Sequence, residues 1–230
     1  KIVTVGLAGN FEFDAIRPHI FGRFADLLKT ASWHPAMLLY LDQAQSIGPN
    51  SMLAQRIGAR RNREIGLNEN LAREILELHT LGDRTAYSQA DVTEFARAMT
   101  GLTVGGLGER RLQRVLGTDT KPGEGIFVDA LHEPGKRTIV GRSYAQNGAK
   151  ALDAILSDLA IQPATARHIA TKLVRHFVAD DPPPSLVPGV MRRISEPAPL
   201  SFWGWLRKRR SFDLSLRVSP LEPGGGFEFV

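Results

Sequence analysis

The stretch that most constrains this chain is Asn68 to Gly82, NENLAREILELHTLG, where helical patterning coincides with a dense set of chemically capable side chains. Leu71, Ile75 and Leu78 recur at i, i+4 and i+7, one face of an α-helix, and Gly82 stands where a C-terminal cap belongs. The spacing predicts a buried amphipathic helix. Asn70, Glu74 and Glu77 form a second stripe beside the apolar one, which places two carboxylates at the margin of the core. His79 falls on the opposite flank. On a regular helix Glu77 and His79 point about 160° apart, so they cannot chelate one ion from it without partners from elsewhere in the chain.

The rest of the chain arranges itself around that helix. Phe21, Phe24, Leu27, Leu28 and Ala31 keep helical spacing, and Pro35 suits the first turn of a helix carrying Met37, Leu38 and Leu41. Ser46 to Arg63 mixes Gly, Pro and Asn with Arg and Gln and reads as a surface loop. Ser88, with Asp91 three residues on, opens a second helix whose apolar face is Val92, Phe95, Ala96 and Met99, and Gly101 stops it. The short connection from Gly82 to Tyr87 makes the two helices an antiparallel or crossed pair. From Thr103 to Tyr144 the helical period lapses. GIFVDAL and RTIVGRSY read as two strands around HEPGKR, a β-hairpin with Pro134 and Gly135 at its turn. Leu152, Ile155, Leu156 and Leu159 restore the helix, and Pro163 begins another that buries Ile169, Leu173 and Phe177 and ends at the Asp-Asp-Pro-Pro-Pro run. The fold class expected is mainly α, a multi-helix bundle-like domain with one small inserted hairpin.

Composition narrows the chemistry. With no Cys, the chain has no disulfide, thiolate metal site or cysteine nucleophile. No run of apolar residues is long enough for a transmembrane helix, and KIVTVGLAGNFEF lacks the pattern of a signal peptide. Of the net charge of +5, residues 188–230 carry +3, from seven basic and four acidic side chains, leaving +2 on residues 1–187. So balanced a body gives little support for nucleic-acid binding. There is no GxSxG, GxGxxG or GxxxxGK[ST], which disfavours serine-hydrolase and nucleotide chemistry.

Candidate chemistry rests on three groups. Glu74 and Glu77 could bind a divalent cation or act as acid and base, and their bland reading is an ion pair with Arg97 of the next helix. His79 and His132, the latter followed by Glu133, carry imidazoles suited to zinc and similar metals, although no closed HExxH spacing is present. The residues nominated for catalysis are Glu74, Glu77 and His79, and those for a divalent metal are Glu74, His79 and His132. A basic edge on the last helix, Arg167, His168, Lys172, Arg175 and His176, reads as a solvated face with counter-ions for the Glu stripe.

Four blocks, NENLAREILELHTLG, YSQADVTEFARAMTG, HEPGKRTIVGRSY and QPATARHIATKLVRHFVADDPPPSLV, occur in that order, and together they resemble the large bacterial family known as domain of unknown function 1800, from about Phe11 to Val187. The resemblance implies a longer parent protein, of which this chain is a fragment, and an exported or periplasmic one, but no established activity. It also divides the chain into one helical domain, residues 1–187, and an atypical basic tail, 188–230, with two Trp and the run RKRR, expected to be disordered or out of frame. Two functions of different class follow. One is an exported or envelope-associated helical protein that binds a protein or envelope partner, and the other a metal-dependent, hydrolase-like enzyme using the Glu/His site at the central helix.

Overall fold

The computed structural model describes residues 2–58, 66–106, 121–146, 148–183 and 185–195. Helix α1 (Ile2–Asn10) runs on as a π-helical turn, Phe11–Ile16, and is followed by α2 (Phe24–Trp33), α3 (Pro35–Tyr40) and α4 (Met52–Gly58). The central pair is α5 (Asn70–Glu74), continued as a π turn over Ile75–His79, and α6 (Gln89–Met99). Short strands β1 (Leu102–Val104), β2 (Gly125–Phe127), β3 (Arg137–Ile139) and β4 (Arg142–Tyr144) precede α7 (Ala149–Ala160), α8 (Pro163–Phe177) and α9 (Leu186–Ser195). The architecture is mainly α with small antiparallel strand pairs, and among the described residues no helix is long and apolar enough to cross a membrane.

One core joins the central pair to α7. Leu71, Ile75 and Leu76 from α5 and its π turn, Phe95 and Met99 from α6, and Leu152, Ile155 and Leu156 from α7 are all fully buried, with Leu38, Leu102 and Ile139 closing the sides. Burial of large apolar side chains on this scale is the main stabilising contribution in a domain of this size. Helix α6 starts as its sequence dictates: Ser88 Oγ accepts from Asp91 N–H while the Asp91 carboxylate accepts from Ser88 N–H at 2.7 Å, a complete capping box. Pro35 and Pro163 stand at the first turns of α3 and α8, where a missing N–H costs nothing, and His34 Nδ1 caps α3 by accepting from Ala36 N–H.

The structure corrects four of the expectations. Leu78 is 47% exposed and Leu76 takes its place in the core. The cause is the π turn: i→i+5 bonding, seen also in the Thr80 hydroxyl donating to Ile75 O, advances each residue by less than the about 100° of an α-helix and swings Leu78 outward. The strands do not pair with each other across Pro134 and Gly135. Instead β1 pairs with β2, Thr103 opposite Ile126, and β3 pairs with β4 across a two-residue turn, Val140 and Gly141, both at positive φ. Helix α8 buries Thr165, Ala166, Ala170 and Val174, whereas Ile169 and Leu173 are half-buried and Phe177 is 60% exposed, so its inner face is turned from the one expected. Part of the expected loop is helix α4, whose Leu53 forms a satellite cluster with Val128 and Leu131. Arg60, Arg61 and Arg63 lie outside the described residues, as does the tail from residue 196, while α9 spans the 187/188 boundary.

Candidate functional site

Residues 132–140, HEPGKRTIV, run antiparallel along one flank of α6 and bond to it at both ends and in the middle. At the C-terminal end of α6 the last carbonyls have lost their helical donors and need others. Thr100 Oγ1 donates to Arg97 O at 2.6 Å, the Gln43 amide donates to Met99 O at 2.9 Å, and His132 Nδ1 donates to Thr100 O at 2.8 Å. Halfway along, Arg137 Nη1 lies 3.7 Å from Glu94, whose other oxygen takes Arg97 Nη1 at 2.6 Å. At the N-terminal end Val140 N–H donates to the free oxygen of the capping carboxylate, Asp91 Oδ1, at 2.7 Å.

The two residues of this strap with the most chemical capacity are both saturated. His132 is 9% exposed. Because Thr100 O can only accept, Nδ1 carries the proton, and Nε2 accepts from Gly148 N–H at 3.2 Å, at the start of α7. Burial lowers the His132 pKa and so favours this neutral tautomer, and the nearby Arg137 lowers it further against the hydrogen bond to Thr100. A metal would have to take the Nε2 lone pair that Gly148 already uses. Glu133, 4% exposed, accepts from Asn50 N–H at 2.7 Å and from Asn50 Nδ2 at 2.6 Å, while its own N–H donates to Thr100 Oγ1 at 2.7 Å. Gly48 lets the Asn50 loop come this close, since a Cβ there would sit 2.6 Å from Glu133 Cα. Arg137 is turned onto the strap itself, donating to Glu133 O at 2.7 Å and Pro134 O at 2.8 Å.

The central helix disperses its own candidates. Glu77 accepts from Arg84 Nη2 at 2.7 Å, in place of the expected Arg97, whose partner is Glu94. Glu74 is half-buried and has no hydrogen-bond or ion-pair partner among the described residues. His79 lies at the end of the π turn, beside Lys172 and His168 of α8, and burial first, then the Lys172 ammonium, hold its pKa below the usual histidine value. The basic edge of α8 serves a helix end rather than the Glu stripe: Lys172 Nζ donates to Leu78 O at 2.7 Å, and His168 Nε2 lies 3.0 Å from the same carbonyl. Gly82, at φ +74°, admits this contact, because a Cβ there would fall 2.0 Å from His168 Nδ1. Glu74, His79 and His132 are not brought together, and among the described residues no group of three or more His, Cys, Asp or Glu is placed to hold a metal ion.

Sequence reasoning overlooked a cleft of about 750 Å³ lined in part by α1 and the α2–α3 junction. Its lining is drawn from residues 7–14, from 29–35 at the α2–α3 junction, from 123–125 and from Asp153. Its residues come from four separate stretches of chain, and the spacing of i, i+3 and i+7 in Leu7, Asn10 and Asp14 is the only local signal of it.

A family model described as protein of unknown function (DUF1800) matches residues 3–196. No curated protein and no solved structure matches the chain. With the match covering most of its length, the chain belongs to the DUF1800 family.

Proposed function

We propose that this DUF1800 protein works by binding a protein or envelope partner outside the cytoplasm, and that it carries out no metal-dependent hydrolysis through Glu74, Glu77, His79 and His132. The observation that supports this reading is the dispersal of the nominated side chains: among the described residues Glu74, His79 and His132 form no metal-holding group, His132 spends both ring nitrogens on Thr100 O and Gly148 N–H, and Glu77 pairs with Arg84. A catalytic acid, base or ligand needs a lone pair or proton facing a substrate. The export half of the proposal comes from the family resemblance alone.

The test is metal content by mass spectrometry on the chain purified without chelator or affinity metal, next to Glu74→Ala and His79→Ala. The expected result is no stoichiometric divalent metal in any of the three. A near-stoichiometric metal that either substitution removes would overturn the binding reading in favour of the metal enzyme.

A further inference from the structure

We propose that the outward face of α8 docks on an anionic lipid surface. This inference rests on the binding reading and names the chemistry of its envelope partner. From Pro163 to Phe177 the helix carries Arg167, His168, Lys172, Arg175 and His176 and no acidic residue. At about 100° per residue, His168, Lys172, Arg175 and His176 share an arc of about 100° opposite the buried Ala166, Ala170 and Val174. Arg167, Lys172, Arg175 and His176 are exposed, and among the described residues no carboxylate pairs with any of the five. Lys172 Nζ is spent on Leu78 O, an uncharged acceptor, so its charge is left unneutralised. Asp180 and Asp181, the nearest acids along the chain, come only after the helix has ended. Three permanent cations and two imidazoles on one helix, with no acid among them, complement a partner that offers many negative charges side by side.

The apolar side chains beside the stripe favour a lipid surface over an acidic protein. Leu78, whose carbonyl takes the Lys172 ammonium, is exposed, and so are Phe177 and Val178 at the end of α8. The His176 ring meets that of Phe177 edge-on at 4.6 Å, so basic and apolar groups adjoin. At a membrane interface such a mixture is useful: Leu, Phe and Val enter the headgroup region while Lys and Arg reach the phosphates. An acidic peptide is better served by a groove, yet α8 lines neither the cleft beside α1 nor the smaller one over Tyr144 and Asp158. A helix face is a ridge, and a ridge can lie along a plane.

The experiment is cosedimentation of the full chain with vesicles of phosphatidylcholine mixed with phosphatidylglycerol, against vesicles of phosphatidylcholine alone, with binding of a labelled oligoglutamate peptide measured alongside. The chain should sediment with the anionic vesicles, less so as salt rises, and not with the neutral ones. Arg167→Gln and Arg175→Gln should each weaken that binding about three- to fivefold, and the pair by roughly tenfold or more, with unchanged thermal melts. Phe177→Ser should weaken it too, which a purely ionic contact would not show. Because residues 207–210, RKRR, are also basic, the comparison is repeated in a chain carrying Arg207→Gln, Lys208→Gln, Arg209→Gln and Arg210→Gln, where the effects of Arg167→Gln and Arg175→Gln should persist. Equal affinity in the double variant, or binding abolished by the four tail changes alone, would overturn the α8 face. Sedimentation with both kinds of vesicle alike, or with neither, would overturn the lipid partner. Oligoglutamate binding without vesicle binding would do the same in favour of an acidic protein, and would leave a binding function standing. A stoichiometric metal site would sink the functional reading independently of what the vesicles do.

Discussion

The strap along α6 and the cleft beneath α1 hold comparable numbers of ionisable side chains and use them in opposite ways. In the strap His132, Glu133 and Arg137 are nine-tenths or more buried and bonded within the chain, whereas in the cleft Asp14, Glu124 and Asp153 face solvent. The difference teaches that an arresting motif such as HEPGKR can be a fastening. Buried polar groups must be satisfied, so a dense polar motif placed in a core margin consumes its own chemistry. Exposed carboxylates carry no such obligation and remain available to a partner.

The contrast can be broken most decisively at Glu133. Glu133→Ala leaves the Asn50 main-chain and side-chain donors without acceptors and should cost about 2–3 kcal/mol. For a chain of this length that is a fall in Tm on the order of 4–12 °C, and a melt unchanged within error would mean that the strap does not hold the fold. Next in size is the acid response. A histidine whose folded pKa is depressed binds its proton more readily when unfolded, so its contribution is intact above the unfolded value of about 6.5 and is lost as pH falls through that value toward the folded one. Stability should therefore decline as pH falls below about 6.5, and His132→Gln should flatten that part of the denaturation-midpoint profile. His34 and His79 share the shift, so a shallower slope should remain in the variant. The smallest effect belongs to the cleft: Asp14→Asn with Asp153→Asn should alter unfolding free energy by less than about 0.5 kcal/mol in urea titration. A larger loss would place those carboxylates in the fold's own support and collapse the distinction between the two regions.

Much of the architecture was legible in the residues because helices announce themselves locally. Ser88 and Asp91 marked the start of α6, Pro35 and Pro163 the starts of α3 and α8, and the Leu152-to-Leu159 spacing the apolar face of α7. What failed depended on distant partners. Leu78 obeys the α-helical period in sequence, yet it lies in a π turn whose carbonyl is met by Lys172 and His168, ninety or so residues away, contacts that no local pattern announces. The strand pairing went wrong for a similar reason: Gly125 to Phe127 finds β1, and the two residues that turn β3 into β4 include Val140, at φ +47°, where a side chain of its shape gives no turn signal. Of the candidate site, the sequence located His132 and Glu133 as unusual without revealing that Thr100, Gly148 and Asn50 would occupy them. The cleft was invisible because its walls come from residues 7 to 14, 29 to 35, 123 to 125 and 153.

The strap also sets which of its two members can change length. From Asp91 to Thr100 an α-helix advances about 13–14 Å, while the eight steps from His132 to Val140 could reach about 26 Å if drawn straight. The surplus is taken up within residues 133–136, where Gly135 turns at φ +108°, between the fastening at His132 and those at Arg137 and Val140. A residue added beside Gly135 would leave the fastenings at His132 and Val140 within reach. One residue added to α6 would rotate one anchoring end by about 100° relative to the other, and the two fastenings could no longer close together.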